Sequence, residues 1–372
     1  MKKISILGAG MVGSAMAIDL SYNFNVTSFD FNVNNLEKLS KKVNVKTNKL
    51  DFTNDSDLKE AIKDCDLVIG AAPGFMGFEV LKNVIHAGKN IVDISFFPED
   101  PFLLSDIARD NGVTAVVDCG VAPGMGNIIL SHHNQRMSIE NYECYVGGLP
   151  MIRKLPFEYK SPFSPVDVIE EYMRPSRYVL NDEEIVKPAL SEPEYLYFDN
   201  IGTLEAFNTD GLRSLIKTMK IPNMKEKTLR YPGHIKLIQI LKDAGFFSYV
   251  PIQINGKNVK PIDFTSQILF DKWKLEEEEE EFTVMRIIIE GIENGELKKY
   301  VYNLYDRYDN TTNISSMART TGYTATAAAN LILEGKFERK GICPPEYLCD
   351  IEGNFEYIMN YLKQRDVIYL VS

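Results

Sequence analysis

The sequence predicts an α/β fold in two parts. One is an N-terminal parallel sheet with helices on both faces, rejoined by helices near the C-terminus; the other is an α+β part with a mixed, largely antiparallel sheet. Three observations predict this. Short apolar runs alternate with helical segments over the first 120 residues, the pattern of a doubly wound parallel sheet. A glycine-spaced turn joins the first apolar run to the first helix. After Gly120 the runs lengthen, alternate polar with apolar, and are separated by proline-containing stretches, as in antiparallel sheets with one solvated face.

Taken in order, residues 3–7 are a short apolar strand, 11–22 a helix, 25–29 a strand, 33–41 a helix and 45–50 a strand that turns at Asp51. Residues 57–62 are helical, 67–71 an apolar strand and 77–86 a helix. Residues 90–94 are a strand, 102–111 a helix and 114–118 a strand. In the second part, 142–148, 195–198, 203–208, 249–254 and 283–290 read as strands. Residues 315–335 turn helical again, with a face of alanine and threonine small enough for close packing, and this tail is expected to return to the first domain. The expected domains are 1–120 with 310–372, and 121–309.

Composition narrows the function. With 45% hydrophobic and 25% charged residues the chain has a soluble globular profile. A net charge of −11 argues against nucleic acid, whose phosphates need a positive face. The acidic run 276–281 reads as a solvated turn or helix end. Five scattered cysteines without a close pair, and four histidines without ligand spacing, indicate neither a disulfide framework nor a metal. The opening MKKISILGAG runs into a glycine loop, not a cleavage site, and no apolar stretch nears the roughly 20 residues that span a bilayer. A cytoplasmic protein that does not engage a membrane is expected.

The stretch ISILGAGMVGSAMA places Gly8, Gly10 and Gly13 in a G-x-G-x-x-G turn, with Ala9, Met11 and Val12 between them. The first glycine permits the turn, the second lets a pyrophosphate approach the backbone, and the third lets helix pack on strand. The helix N-terminus then offers N–H groups to the phosphates. Alone the match is weak. Here it follows a strand, opens a helix, and precedes a second strand, NVTSFDFN, ending in Asp30, 22 residues after Gly8. A carboxylate there accepts from ribose hydroxyls and repels a 2′-phosphate, so NAD is expected over NADP. Asp51 can approach the adenine or cap its own turn. Ala71, Ala72 and Pro73, after Gly70, let the backbone pass close to the cofactor.

Chemistry is expected near the next strand ends. Asp93 and Asp118 stand at the edge of apolar strands, where burial can move a carboxylate towards useful basicity. Cys119 adjoins Asp118 as a substrate contact or a buried thiol, and the loop 120–127 is a candidate hinge. In the second domain Arg177, Arg213 and Arg230 can clamp a carboxylate. Residues 228–234 read as a polar turn in which His234 can carry a proton.

These residues resemble the saccharopine dehydrogenase-like family, and within it the lysine 6-dehydrogenases. The resemblance rests on ILGAGMVGSAMAIDL, VVDCGVAPGMGNIIL, TLRYPGHIKLIQILKDAGFF, FTVMRIIIEG and SMARTTGYTATAAANLILEGKF with GICPPEYL, and spans nearly the whole chain. It implies a bilobed enzyme whose Rossmann domain is completed by C-terminal helices. It also implies a mixed-sheet domain for substrate binding and dimerisation, and oxidation of a carbon–nitrogen bond. Saccharopine reductases carry an aspartate where this chain has Ala122, which points to the lysine 6-dehydrogenase pattern; carboxynorspermidine-type enzymes share the family. The implied activity is NAD-dependent oxidative deamination of L-lysine at its ε-amine, giving an aldehyde that cyclises, with release of ammonia. Asp93 or Asp118 would be the base, with His234 third, and Arg177 or Arg230 would hold the α-carboxylate. The alternatives are a saccharopine dehydrogenase acting on a secondary amine, and a non-catalytic dinucleotide sensor. A homodimer or homotetramer is expected.

Overall fold

The computed structural model describes residues 1–161, 165–276 and 279–372, with the backbone alone for 165–167. The chain divides into two compact units: Met1–Arg136 with Met317–Ile368, and Met137–Ser316 with Tyr369–Ser372.

The first unit begins β1 (Lys3–Leu7), α1 (Met11–Ser21), β2 (Asn25–Asp30), α2 (Val33–Lys42), β3 (Lys46–Lys49), α3 (Asp55–Ile62) and β4 (Leu67–Gly70). It continues α4 (Gly74–His86), β5 (Ile91–Asp93), α5 (Ser105–Asp110), β6 (Thr114–Val116) and α6 (Met125–Asn134). The helix expected over 102–111 is split. Asp100 accepts from the Phe102 amide at 3.1 Å and Pro101 opens a 3-10 turn before α5 starts, because proline presets the first helical residue.

The second unit runs β7 (Ser138–Pro150), α7 (Pro165–Met173), β8 (Ser176–Leu180), β9 (Glu183–Lys187), β10 (Glu194–Phe198), β11 (Gly202–Asn208), α8 (Leu215–Thr218) and β12 (Asn223–Arg230). Then come α9 (His234–Asp243), β13 (Ile252–Ile254), β14 (Lys257–Val259), α10 (Pro261–Trp273), β15 (Glu281–Glu293) and β16 (Glu296–Arg307). The chain returns as α11 (Ser316–Leu333), β17 (Gly341–Cys343) and α12 (Asn354–Lys363), and ends in β18 (Tyr369–Val371).

In the first unit seven strands lie in the order β17-β6-β5-β4-β1-β2-β3, every pairing parallel. The order reverses direction between β1 and β4, which opens a crevice beyond their carboxyl ends. Strands such as LVIG of β4 are buried throughout, as strands covered on both faces must be. Leu7, Phe29, Val68, Leu81, Ile85 and Val117 form the core on one face.

The second unit's sheet runs β10-β11-β12-β7-β15-β16-β18, with β8 and β9 attached to β12. Its pairings are antiparallel except β12 with β7. Tyr145, Tyr172, Phe207, Trp273 and Phe282 lead its core. The strand expected over 249–254 is reduced to β13, which pairs only with β14 in a separate hairpin.

The first boundary differs from the expected one at Gly120. Helix α6 belongs to the first unit because it packs on the returning segment: the Asn127 amide donates to Glu346 at 2.9 Å and the Cys349 thiol to the Ile128 carbonyl at 3.5 Å. The last four residues belong to the second unit, where β18 pairs with β16.

All five cysteines are unbridged and buried. Of the acidic run, Glu277 and Glu278 lie outside the described residues, Glu279 pairs with Lys154 and Lys160 at 2.9 and 3.2 Å, and Glu281 opens β15. Among the described residues no His/Cys/Asp/Glu cluster is placed to hold a metal, and no helix is long and apolar enough to cross a membrane.

Candidate active site

In the first unit the glycine turn is packed against β4. Gly8 has φ +120°, and a Cβ on it would lie 2.4 Å from the Ala71 carbonyl oxygen. A Cβ on Gly13 would lie 2.0 Å from the Gly8 carbonyl oxygen, so these two glycines permit strand, turn and helix to touch. A Cβ on Gly10 would meet nothing within 4 Å. That is the position where backbone must stay bare for a phosphate. No side chain caps α1 and no acid sits in its first turn. The leading N–H groups of Met11, Val12 and Gly13 therefore have no acceptor inside the helix, and its dipole favours an anion. The residues fit a dinucleotide.

Asp30 ends β2 and is wired into the turn. Its Oδ2 accepts from the Ala9 amide and its Oδ1 from the Asn32 amide, both at 2.7 Å. Oδ2 also accepts from the Asn35 side-chain amide at 3.3 Å, so the same carboxylate fixes the turn and the start of α2 while its remaining lone pairs can meet hydroxyl donors. Asp51 behaves otherwise. It accepts from the Thr53 amide and hydroxyl at 2.9 and 2.7 Å, which holds its carboxyl below the usual range and makes it first a turn cap. Ala71 donates to the Leu7 carbonyl at 2.9 Å, Ala72 is buried, and Pro73 precedes α4.

Beyond β4, β5 and β6 the structure brings Asp93, Ser95, Asp118 and Cys119 together. Asp93 is fully buried and accepts from the Ser95 amide at 2.9 Å and hydroxyl at 3.1 Å. A Cβ on Gly70 would lie 1.9 Å from Asp93 Oδ2, so glycine at 70 is what admits this carboxylate. Asp118, 3% exposed, adopts φ +54°, a strained region for a non-glycine residue and one that recurs at functional sites. The Cys119 amide donates to the Asp93 carbonyl at 3.1 Å, which ties the two strand ends together.

Of the two roles expected for Cys119, the geometry favours the buried thiol over the substrate contact. Its thiol is fully buried, 4.0 Å from the Thr324 carbonyl, and burial, then Asp118 and Asp93, push its pKa upward.

In the second unit residues 228–234 are not a turn. Residues 223–230 are β12, an interior strand between β11 and β7, and only 231–233 turn before α9. Arg230 is 2% exposed and already satisfied: Nη2 pairs with Glu171 at 3.1 Å, Nε with the Tyr172 hydroxyl at 3.2 Å, Nη1 with the Leu229 carbonyl at 3.0 Å, and the guanidinium lies 4.5 Å from the Tyr159 ring centre. Its fork does not stand open for a substrate carboxylate. Arg177 is likewise engaged, in a two-pronged pair with Asp210 at 2.8 and 2.9 Å. Arg213 is buried with φ +46°.

His234 is corrected as a proton carrier. It is 3% exposed; Nδ1 lies 2.9 Å from the Phe157 carbonyl and Nε2 2.9 Å from the Tyr172 hydroxyl. A carbonyl only accepts, so Nδ1 carries the hydrogen and Nε2 accepts from Tyr172. Burial, then Arg230, depress its pKa to about 3. The ring is a fixed neutral spacer in a chain running Glu171, Arg230, Tyr172, His234. Glu171, Tyr172 and Asp210 carried no sequence signal, because their role depends on which strands and helices meet.

The comparisons with known proteins agree with this fold. Residues 4–116 match the saccharopine dehydrogenase NADP binding domain and residues 117–368 the saccharopine dehydrogenase C-terminal domain. Carboxyaminopropylagmatine dehydrogenase of Synechocystis sp. is 23% identical over 92% of both chains. The mitochondrial alpha-aminoadipic semialdehyde synthase of Mus musculus is 24% identical over 92% of this chain; the chain spans 45% of that relative's length. The apo structure of saccharopine dehydrogenase (L-Glu forming) from Saccharomyces cerevisiae superposes with a TM-score of 0.80 at 18% identity, covering 100% of this chain and 99% of that one. The chain belongs to the saccharopine dehydrogenase family.

Proposed function

We propose that this protein is a dinucleotide-dependent oxidoreductase that forms or cleaves the secondary amine joining an amino-acid moiety to a second carbon skeleton. The observation that carries this reading is the carboxylate pair at the strand ends. Asp93 lies against Gly70, and Asp118 one strand further on, in the same crevice rim as the bare Gly10 turn. The dinucleotide, when bound, exchanges a hydride with the carbon attached to nitrogen. The protein's part is proton transfer and placement. Asp118 takes the proton that leaves the nitrogen, or the water that hydrolyses the imine, and Asp93 holds Ser95 and the Cys119 backbone in register beside it. The names of the relatives support a carboxylated secondary amine: those from Synechocystis and Saccharomyces are aligned over 92% and 98% of their lengths. Asp30 favours NAD, since a second negative charge on the ribose would face its carboxylate.

A second reading, deamination of lysine at its ε-amine, is favoured by one residue. Ala122 stands where the saccharopine reductase pattern has aspartate, leaving one acid fewer beside the loop.

The test follows absorbance of the reduced coenzyme with NAD and NADP against saccharopine, carboxyaminopropylagmatine and lysine. Turnover with a secondary amine and NAD is expected. Turnover with lysine alone transfers the assignment to the second reading, and no turnover with any amine overturns both. D118N should lower kcat by about 10²-fold or more, the scale of a lost general base. Near-parental kcat in both D118N and D93N removes the carboxylates from the mechanism.

A further inference from the structure

Glu346 lies in the 3-10 helix Pro345–Asp350 of the returning segment, and it is fully buried. Carboxyl groups are rarely fully buried unless they are paired or hydrogen-bonded. The Asn127 side-chain amide donates to Glu346 Oε2 at 2.9 Å, across 219 residues of sequence, and Asn127 is itself 1% exposed. The other end of that amide, Oδ1, accepts from the Gly124 backbone N–H at 3.2 Å. Gly124 closes the loop leading out of Asp118. Its φ is +140° and a Cβ there would lie 1.8 Å from the Gly120 carbonyl oxygen. Gly120 in turn donates to the Asp118 carbonyl at 3.1 Å and to the Pro123 carbonyl at 3.0 Å. A continuous hydrogen-bonded path therefore runs from a buried carboxyl group to the backbone of the candidate base.

We propose that Glu346 and Asn127 are a positioning pair that sets the loop 120–124 and, through it, the carboxylate of Asp118. A negative charge on one side of an amide polarises it, so the Asn127 oxygen becomes a stronger acceptor for Gly124. The carboxyl group supplied by the C-terminal segment thereby reaches the site without touching a substrate. The positioning of Asp118 as a base rests on the proposed function; the setting of the loop does not.

Three variants of the full chain test this. N127D sets two carboxyl groups against each other, E346A removes the acceptor, and the double variant N127D/E346Q reverses the hydrogen bond's polarity while keeping its shape. In N127D and E346A, amide exchange at residues 120–125 should quicken by about ten-fold, the scale of one lost charge-assisted hydrogen bond. Exchange in β1 and β2 should stay parental. In both variants kcat should fall by about ten-fold or more at an unchanged dinucleotide Kd, as misplaced groups do. N127D/E346Q should restore both readouts. Parental exchange in both single variants, or a double variant no better than N127D, overturns the pair. If a single variant does not fold, recovery of parental loop exchange in the folded double variant still supports the pair, and its failure overturns it. If the parent protein turns over no amine, the proposed function fails while loop exchange still decides the pair.

Discussion

At the scale of single residues, Gly13 and Gly10 of the first turn do different things. A Cβ on Gly13 collides with the Gly8 carbonyl, whereas one on Gly10 meets no protein atom. G13A should therefore lose stability, by about 1–3 kcal/mol as overpacked positions do. G10A should keep its Tm and lose dinucleotide affinity by about ten-fold, or about 1.4 kcal/mol. Thermal melts and calorimetry separate the two; equal affinity in G10A and parent would remove the phosphate from this turn. His234 makes a second prediction. Its pKa falls from 6.5 to about 3 on folding, through burial and then Arg230. Between those values the unfolded chain binds a proton there and the folded chain does not. Stability is thus fully present above pH 6.5 and declines as the pH falls, by up to about 1.4 kcal/mol per pH unit. His133, also depressed to about 3 by burial, then Arg136 and His132, adds its own slope. Urea unfolding from pH 7 to 5 should be flatter in H234Q than in the parent, and the profile of kcat over that range should not change shape. The placement of the glycines in the turn, and of Asp30, Asp93 and Asp118 at strand ends, was legible because local chemistry dictates it: a turn that bars a Cβ, an acid where an apolar run stops. Arg230 and His234 misled because polarity was visible and burial was not. Nothing near Arg230 in sequence announces that Glu171 will neutralise it.

At the scale of elements, α1 ties the first unit's opening segment to its returning one. A Cβ on Gly322 of α11 would lie 3.1 Å from Met16 of α1, so the small-residue face of α11 lets the two helices approach closely. The contact is locked by Asp19, 6% exposed on α1. Its carboxylate accepts from Arg365 Nε at 2.6 Å, the Tyr361 hydroxyl at 2.7 Å and the Thr326 hydroxyl at 2.6 Å. D19A leaves Arg365 without its anion and the Tyr361 hydroxyl without the Asp19 acceptor, while the Thr326 hydroxyl keeps the Tyr323 carbonyl at 3.3 Å. It should cost about 3 kcal/mol or more, the scale of a half-removed buried ion pair, read by chemical denaturation. D19N should cost less, and a D19A protein of parental stability would refute the lock. The helix 316–333 and its close-packing face were readable from composition. Strand β12 was not. Its sequence NMKEKTLR holds Glu226, Lys227, Thr228 and Arg230, all under 7% exposed, whereas strand reading assumes that polar residues face water. Lys227 is paired with Glu194 at 2.7 Å, a compensation that only tertiary structure reveals.

At the scale of the whole molecule, the chain's excursions make the first unit depend on residues distant in sequence. Residues 317–368 supply α11, the edge strand β17, α12 and Glu346 to it, whereas the second unit receives only β18 from the chain end. In the returning segment Leu331, Ile358 and Leu362 are at most 1% exposed. Each contributes about 2 kcal/mol by burial, against a net stability of roughly 5–15 kcal/mol for a domain. Removing the segment thus takes away a share comparable to the whole margin, before the Asp19 network is counted. A chain ending at Ser316 should accordingly lose dinucleotide binding outright. The second unit offers an internal control, because the chain's single tryptophan, Trp273, is fully buried in that unit's core. The truncated chain should keep the short-wavelength emission of a shielded indole while calorimetry with NAD shows no heat. Retained NAD binding would mean that the glycine turn and β1–β6 stand without their C-terminal cover. Emission shifted to that of solvated tryptophan would mean that the second unit does not fold without the chain end.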